Sequence, residues 1–174
     1  MTKTITCFKA YDARGKVPSE LNIDIAYRVG RAYAEFIKPK QVAIGRDARL
    51  TSNELFEALS KGLLDSGVDV LDLGLCGTEA VYFAAFHLQL DGGIMITASH
   101  NPKAYNGFKM VRKVPHLLSG DEGIQDIRQM IENDQVPADA DTAGTIEEWD
   151  VMEEFVAKML TLVDTSEFKS YTVL

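Results

Sequence analysis

Cysteine is scarce. Cys7 and Cys76 are the only two in 174 residues, too few for a disulfide framework, and no Cys-x-x-Cys pair offers zinc ligands. That usage suits a reducing cytoplasm, with both thiols expected as small apolar core groups. Basic charge is also short: 18 Lys and Arg stand against 26 Asp and Glu, a formal net charge of −8. Such a surface repels nucleic-acid phosphates and anionic lipid, so neither nucleic acid nor membrane is expected as a general partner. No apolar run approaches membrane-spanning length, and Met1-Thr2-Lys3-Thr4-Ile5 lacks the form of a signal peptide. Internal repeats and low-complexity tracts are missing too. What remains is a chain with 46% hydrophobic residues, expected to be soluble and cytoplasmic. It is long enough for one domain with a core, or for one domain and part of another. A chain this acidic needs a local basic site if it is to bind phosphate.

The hydrophobic pattern alternates strands and helices. A short strand is predicted over 4–9, a polar loop over 11–17 and a helix over about 22–37. In that helix Ile25, Val29, Ala32, Tyr33 and Phe36 recur at helical spacing, and Pro39 forbids continuation. A buried strand follows over 41–45. Thr51-Ser52-Asn53-Glu54 reads as a capping box, with Thr51 at the N-cap, opening a helix that stops at Gly67. Next come a strand over 68–73, an apolar and well-buried helix over 78–88, and a core strand over 93–97. Asn106-Gly107 is a turn signal ahead of a strand over 108–111. A helix over 121–133, an acidic linker over 134–148 and an amphipathic helix over 149–163 complete the pattern. Tyr171-Thr172-Val173-Leu174 reads as the opening of another strand, which suggests a piece of something longer. The βαβαβα order predicts an α/β fold, a sheet with helices on both faces.

Candidate chemistry collects at the ends of the predicted core strands. Thr97-Ala98-Ser99-His100-Asn101-Pro102 puts a small hydroxyl at the edge where open α/β sheets bind ligands. Ser99 can accept and pass on a phosphoryl group, or can simply cap a loop. His100 suits acid–base work or a loop hydrogen bond. A Ser–His hydrolase pair is disfavoured, because adjacent side chains usually diverge and no Gly-x-Ser-x-Gly elbow is present. Tyr11-Asp12-Ala13-Arg14-Gly15 offers Arg14 as a phosphate fork, or an internal Asp–Arg contact. Arg46 and Arg49, in Gly45-Arg46-Asp47-Ala48-Arg49, either bind phosphate or are solvated. Lys109, ten residues after Ser99, either returns beside it or points to water. Each signal is soft alone; jointly they supply the local basic site.

These segments, together with Tyr105-Asn106-Gly107-Phe108-Lys109, resemble the first domain of the α-D-phosphohexomutases over nearly the whole chain. Phe8-Lys9-Ala10-Tyr11-Asp12, Leu71-Asp72-Leu73-Gly74 and Gly77-Thr78-Glu79 look most similar to the bacterial phosphomannomutases of nucleotide-sugar synthesis. The resemblance implies a three-layer α/β/α sandwich with a mixed, mostly parallel sheet. It implies a phosphoserine domain over 1–148, with 149–174 an inter-domain helix and the start of a second domain. Ser99 would carry the phosphoryl group that converts mannose 6-phosphate and mannose 1-phosphate through a hexose 1,6-bisphosphate. A phosphoglucomutase, a phosphoglucosamine mutase or a non-catalytic sugar-phosphate-binding module are the alternatives. Arg14 and Lys109 would bind substrate, neutralise charge and support proton transfer; His100 would position groups or exchange protons; Tyr11 would line the cleft. The phosphate on Ser99 would hold Mg²⁺, with the other metal ligands in the second domain. Ala13 departs from the family's branched aliphatic residue there. The metal, sugar-reading and distal phosphate motifs of the later domains are absent from these residues, so little or no mutase activity is expected of this chain alone. The preferred hexose and the oligomeric state are left open.

Overall fold

The computed structural model describes residues 5–113, 117–166, 168–170 and 172. Its strands are β1 (Ala13–Lys16), β2 (Gln41–Arg46), β3 (Asp69–Leu75), β4 (Gly92–Ile96), β5 (Tyr105–Arg112) and β6 (Ile146–Glu148). Its helices are α1 (Ile23–Ile37), α2 (Ser52–Asp65), α3 (Thr78–His87), α4 (Gln125–Glu132) and α5 (Met152–Leu160). The strands form one sheet in the order β1-β5-β4-β2-β3-β6. β4, β2, β3 and β6 run parallel to one another, while β5 is antiparallel to both β4 and β1. The sheet is therefore mixed and mostly parallel, as expected.

Side-chain alternation explains the layers, because successive strand residues point to opposite faces. Val42, Ile44, Val70, Ile94 and Ile96 join one core cluster with α1, α2 and α4. Ala43, Leu71 and Met95, their immediate neighbours in sequence, and Leu73, two residues beyond Leu71, join the other with α3. Both faces are covered, which is why these strands read as continuous apolar runs. Two glycines set the spacing of α1 against α2. A Cβ on Gly62 would lie 2.2 Å from the carbonyl oxygen of Tyr27, and one on Gly30 would lie 2.3 Å from that of Leu59.

Several sequence-based expectations fail locally. Residue 4 of the predicted first strand lies outside the described residues, and the rest contributes only an isolated bridge from Phe8 to Ala13. The first strand instead occupies 13–16, where a loop was predicted: Arg14 and Lys16 sit on an edge strand, whose polar side chains hid it. Asn106-Gly107 is not a turn but part of β5. The Asn106 side chain is fully buried and hydrogen-bonded, and a Cβ on Gly107 would lie 2.3 Å from the Ala13 carbonyl oxygen of the paired strand. Thr51 precedes α2 but makes no side-chain cap, so the capping box does not form.

The helix predicted over 121–133 begins regularly only at Gln125, because Glu122 and Gly123 (φ +117°) break the turn before it. α3 buries one face, Ala80, Val81, Ala84 and Ala85, and leaves Phe86 exposed, so it is less buried than expected. The expected linker is tied down: Arg31, itself buried, pairs with Asp139 at 2.7 Å, and β6 extends the sheet. α5 is shorter than predicted and buries none of its residues, although Phe155 meets Phe83 edge-on. Of the predicted last strand, residues 171, 173 and 174 lie outside the described residues.

Candidate functional site

β4 ends at Ile96, and the chain leaves the sheet at its C-terminal edge through buried Thr97 and Ala98 to exposed Ser99 and His100. Ser99 has φ +54°, in the left-handed region. A non-glycine residue pays about 1–3 kcal/mol for such a conformation, so the surroundings must impose it. Sequence reading had no signal for this. The Ser99 N–H donates to Thr97 Oγ1 at 2.9 Å, and that hydroxyl donates to Asp47 Oδ2 at 2.7 Å. Ser52 Oγ donates to the other Asp47 oxygen at 2.8 Å and accepts from buried Asn106 at 3.0 Å. Thr51 and Ser52, read as a helix cap, thus serve as partners of Asn106, with Ser52 also anchoring Asp47. Ser99 Oγ lies 3.3 Å from His100 Nδ1, so the neighbouring side chains converge rather than diverge. The imidazole has no further side-chain partner among the described residues.

The cations divide into two sets. Arg49 places all its N–H groups within the protein: Nε on Asp47, Nη1 on the carbonyls of Pro102 and Tyr105, Nη2 on those of Ser99 and Asn101. Arg46 reaches Asn53 and Asp72 and stacks over Phe56 with 4.2 Å to the ring centre. Arg49 has no donor left for a phosphate, while Arg46 has Nε and Nη1 engaged.

Arg14 and Lys109 lie on the other side of the serine loop. The register aligns Ala13 with Phe108 and Phe108 with Ile96, which places Arg14 one residue beyond β4, level with the start of the loop. Arg14 donates to Asn101 Oδ1 at 2.7 Å and pairs with the buried carboxylate of Asp12. Lys109 reaches the same Asp12 oxygen at 3.4 Å. One carboxylate thus serves two cations, which leaves a local excess of positive charge. Sequence reading had treated Asp12 only as a contact for Arg14. Its link to Lys109 depends on the pairing of β1 with β5, which no local pattern announced. Tyr11, 74% exposed, borders a pocket of about 320 Å³ with Tyr82, Lys109 and Leu118. Burial, with Glu79 and Asp12 nearby, pushes the Tyr82 phenol upward.

The structure therefore connects Ser99, His100, Arg14, Lys109 and Tyr11 around one loop and one pocket. The class of protein is an α/β domain with an exposed hydroxyl and a cation pair at the C-terminal edge of its strands. Residues 6–137 match the family model described as phosphoglucomutase/phosphomannomutase, alpha/beta/alpha domain I, and the chain belongs to that family. It is 53% identical to a phosphomannomutase of Escherichia coli over 165 residues, covering 94% of this chain and 36% of that protein. It is 55% identical over 153 residues to a phosphomannomutase of Klebsiella pneumoniae, covering 87% of this chain and 98% of the relative. A crystal structure of a phosphoglucomutase/phosphomannomutase family protein from Burkholderia thailandensis superposes with TM-score 0.82 at 35% identity, over 92% of this chain and 36% of that one. The chain thus spans about a third of the Escherichia coli and Burkholderia proteins.

Proposed function

We propose that this chain is the phosphoserine domain of a phosphomannomutase, acting on mannose 6-phosphate and mannose 1-phosphate through a hexose 1,6-bisphosphate. The observation that carries the reading is an exposed Ser99, held in a left-handed conformation, in a loop whose Asn101 accepts from Arg14 of an Arg14–Asp12–Lys109 cluster with cationic excess. The identity with relatives named phosphomannomutase supports the choice of hexose. In the forward step the bond between Ser99 Oγ and phosphorus breaks as one forms to a sugar hydroxyl, which gives up its proton while Ser99 Oγ takes one up to become the free hydroxyl. Arg14 and Lys109 are placed to balance charge on the transferring group. His100, in contact with Ser99 Oγ, is placed to exchange or position a proton. Tyr11 and the pocket beside Lys109 are placed to receive part of the sugar phosphate. Residues 1–148 form this unit in the reading, and 149–174 lead into the next.

The family resemblance also implies Mg²⁺ on the seryl phosphate. The described residues hold no group of three or more His, Cys, Asp or Glu able to bind a metal. Asp47, the carboxylate nearest in the network, is committed to Thr97, Ser52 and Arg49. A phosphate without carboxylates is a poor Mg²⁺ site. The residues of this chain do not make one by themselves, and no step here runs through the metal. The isolated chain is accordingly expected to show almost no mutase turnover.

The test is a chimera in which residues 6–137 replace the matching domain of the Escherichia coli phosphomannomutase. Turnover on mannose 1-phosphate should persist and exceed that on other hexose 1-phosphates. Ser99→Ala in that chimera should lower it by on the order of 10³-fold or more. A Ser99→Ala chimera with undiminished turnover would sink the reading.

A further inference from the structure

The donor count at Arg49 is out of proportion to a solvated loop arginine. A guanidinium has five N–H donors in a rigid plane. Here one goes to Asp47 at 3.2 Å, and the others go to the carbonyls of Pro102 and Tyr105, both at 3.0 Å, Ser99 at 2.9 Å and Asn101 at 2.8 Å. Four of the five partners therefore belong to the segment that runs from the serine into β5. The fifth, Asp47, accepts from Thr97 Oγ1, whose own lone pair receives the Ser99 N–H. The carbonyl and the N–H of Ser99 are thus both anchored, by Arg49 directly and by Asp47 through Thr97. Fixing both sides of one residue is what a left-handed serine requires, since its conformation is not otherwise favoured.

We infer that Arg49, acting with Asp47 and Thr97, is the positioning device for the serine loop: it holds Ser99 in its left-handed conformation and so fixes the direction of the hydroxyl at the C-terminal edge of the sheet. The inference rests on Ser99 being the phosphoryl carrier. Arg49 does not touch the transferring group, because its donors are consumed. Lysine cannot replace it, since an ammonium has three donors and no plane to span the four carbonyls.

The experiment has two arms. In the first, the amide exchange of Ser99 is measured by NMR in this chain, beside the core amides of Ile94 and Ile96. Arg49→Lys should speed exchange at Ser99 by about tenfold, the loss of one hydrogen bond, with Ile94 and Ile96 unchanged. Thr97→Val, which removes the hydroxyl that receives the Ser99 N–H, should do the same. In the second arm the Escherichia coli chimera carries Arg49→Lys. Its kcat should fall by about tenfold while KM stays within about twofold, because the loop is misaimed but the substrate contacts remain. Unchanged Ser99 exchange in both variants overturns the inference, and so does an equal rise at Ile94 and Ile96, which would mark general destabilisation. Should Arg49→Lys unfold, Thr97→Val decides alone. If Ser99→Ala leaves the chimera active, the carrier reading fails instead, and the exchange arm still decides the positioning.

Discussion

Two pairs of basic residues flank the same serine loop, and they are used in opposite ways. On the β2 side Arg49 spends all five donors on a carboxylate and main-chain carbonyls of the protein itself, and Arg46 spends Nε and Nη1 on Asn53 and Asp72. Arg14 and Lys109, on the β1–β5 side, share the single carboxylate of Asp12, and Lys109 borders an open pocket. All four are cations close to the C-terminal ends of the parallel strands. What separates Arg49 from Lys109 is the number of acceptors the fold brings within reach. A cation with every donor engaged has nothing left for an incoming anion.

The sharpest way to break this comparison is to remove one cation of the second pair. In the Escherichia coli chimera Lys109→Ala or Arg14→Ala should each cut turnover by on the order of 10²- to 10³-fold, the effect of losing one preorganised charge at a transfer centre. Lys109→Ala should barely move thermal stability, because its contact with Asp12 is long and partly solvated. Turnover within a few-fold of the parent after Lys109→Ala would place it with the scaffold instead.

A second substitution gives the opposite signature, stability without chemistry. Gly62→Ala drives a methyl group to 2.2 Å from the Tyr27 carbonyl oxygen, so α1 and α2 must separate. The expected loss is about 2–3 kcal/mol in denaturant unfolding. The exchange of the Ser99 amide relative to Ile94 should keep its ratio. A selective change at Ser99 would mean that helix spacing and loop geometry are coupled.

The smallest effect is read in alkaline solution. Burial pushes the Cys7 thiol from 9.0 up to about 11. A group whose folded value is raised keeps its proton more tightly in the folded state. Its stabilising effect is complete below pH 9.0 and is lost as pH rises toward about 11. Cys7 should contribute a loss of about 2 kcal/mol across that window, and Cys7→Ala should show a profile flatter by that amount. Equal slopes would show that Cys7 is not the group responsible. The buried Tyr33 phenol, also raised by desolvation, acts with the same sign and begins to contribute above its ordinary value of 10.0, within the same window.

Much of the architecture was legible without coordinates. The apolar runs at 41–45, 68–73 and 93–97 are core strands because the sheet is covered on both faces, and the helical spacing of Val29, Ala32 and Tyr33 marks a buried stripe of α1. Ser99, His100, Arg14 and Lys109 could be nominated because reactive side chains at strand ends carry a local signature. The edge strand β1 could not, since an edge with polar side chains looks like a loop. Asn106-Gly107 misled for a related reason: a turn-forming pair is also what a close strand contact and a buried polar network require.

The sequence by itself determined the α/β class, the layers of the core and the residues able to do chemistry, because periodicity and side-chain type are local properties. Only the tertiary structure decided which of those residues are free to act. Hydrogen-bond acceptors for Arg49 come from 99, 101, 102 and 105, 50 to 56 residues along the chain, and the carboxylate shared by Arg14 and Lys109 lies 97 residues from Lys109. Such pairings exist only once strands from distant parts of the chain lie side by side, and they turn one arginine into a brace and leave another beside the serine.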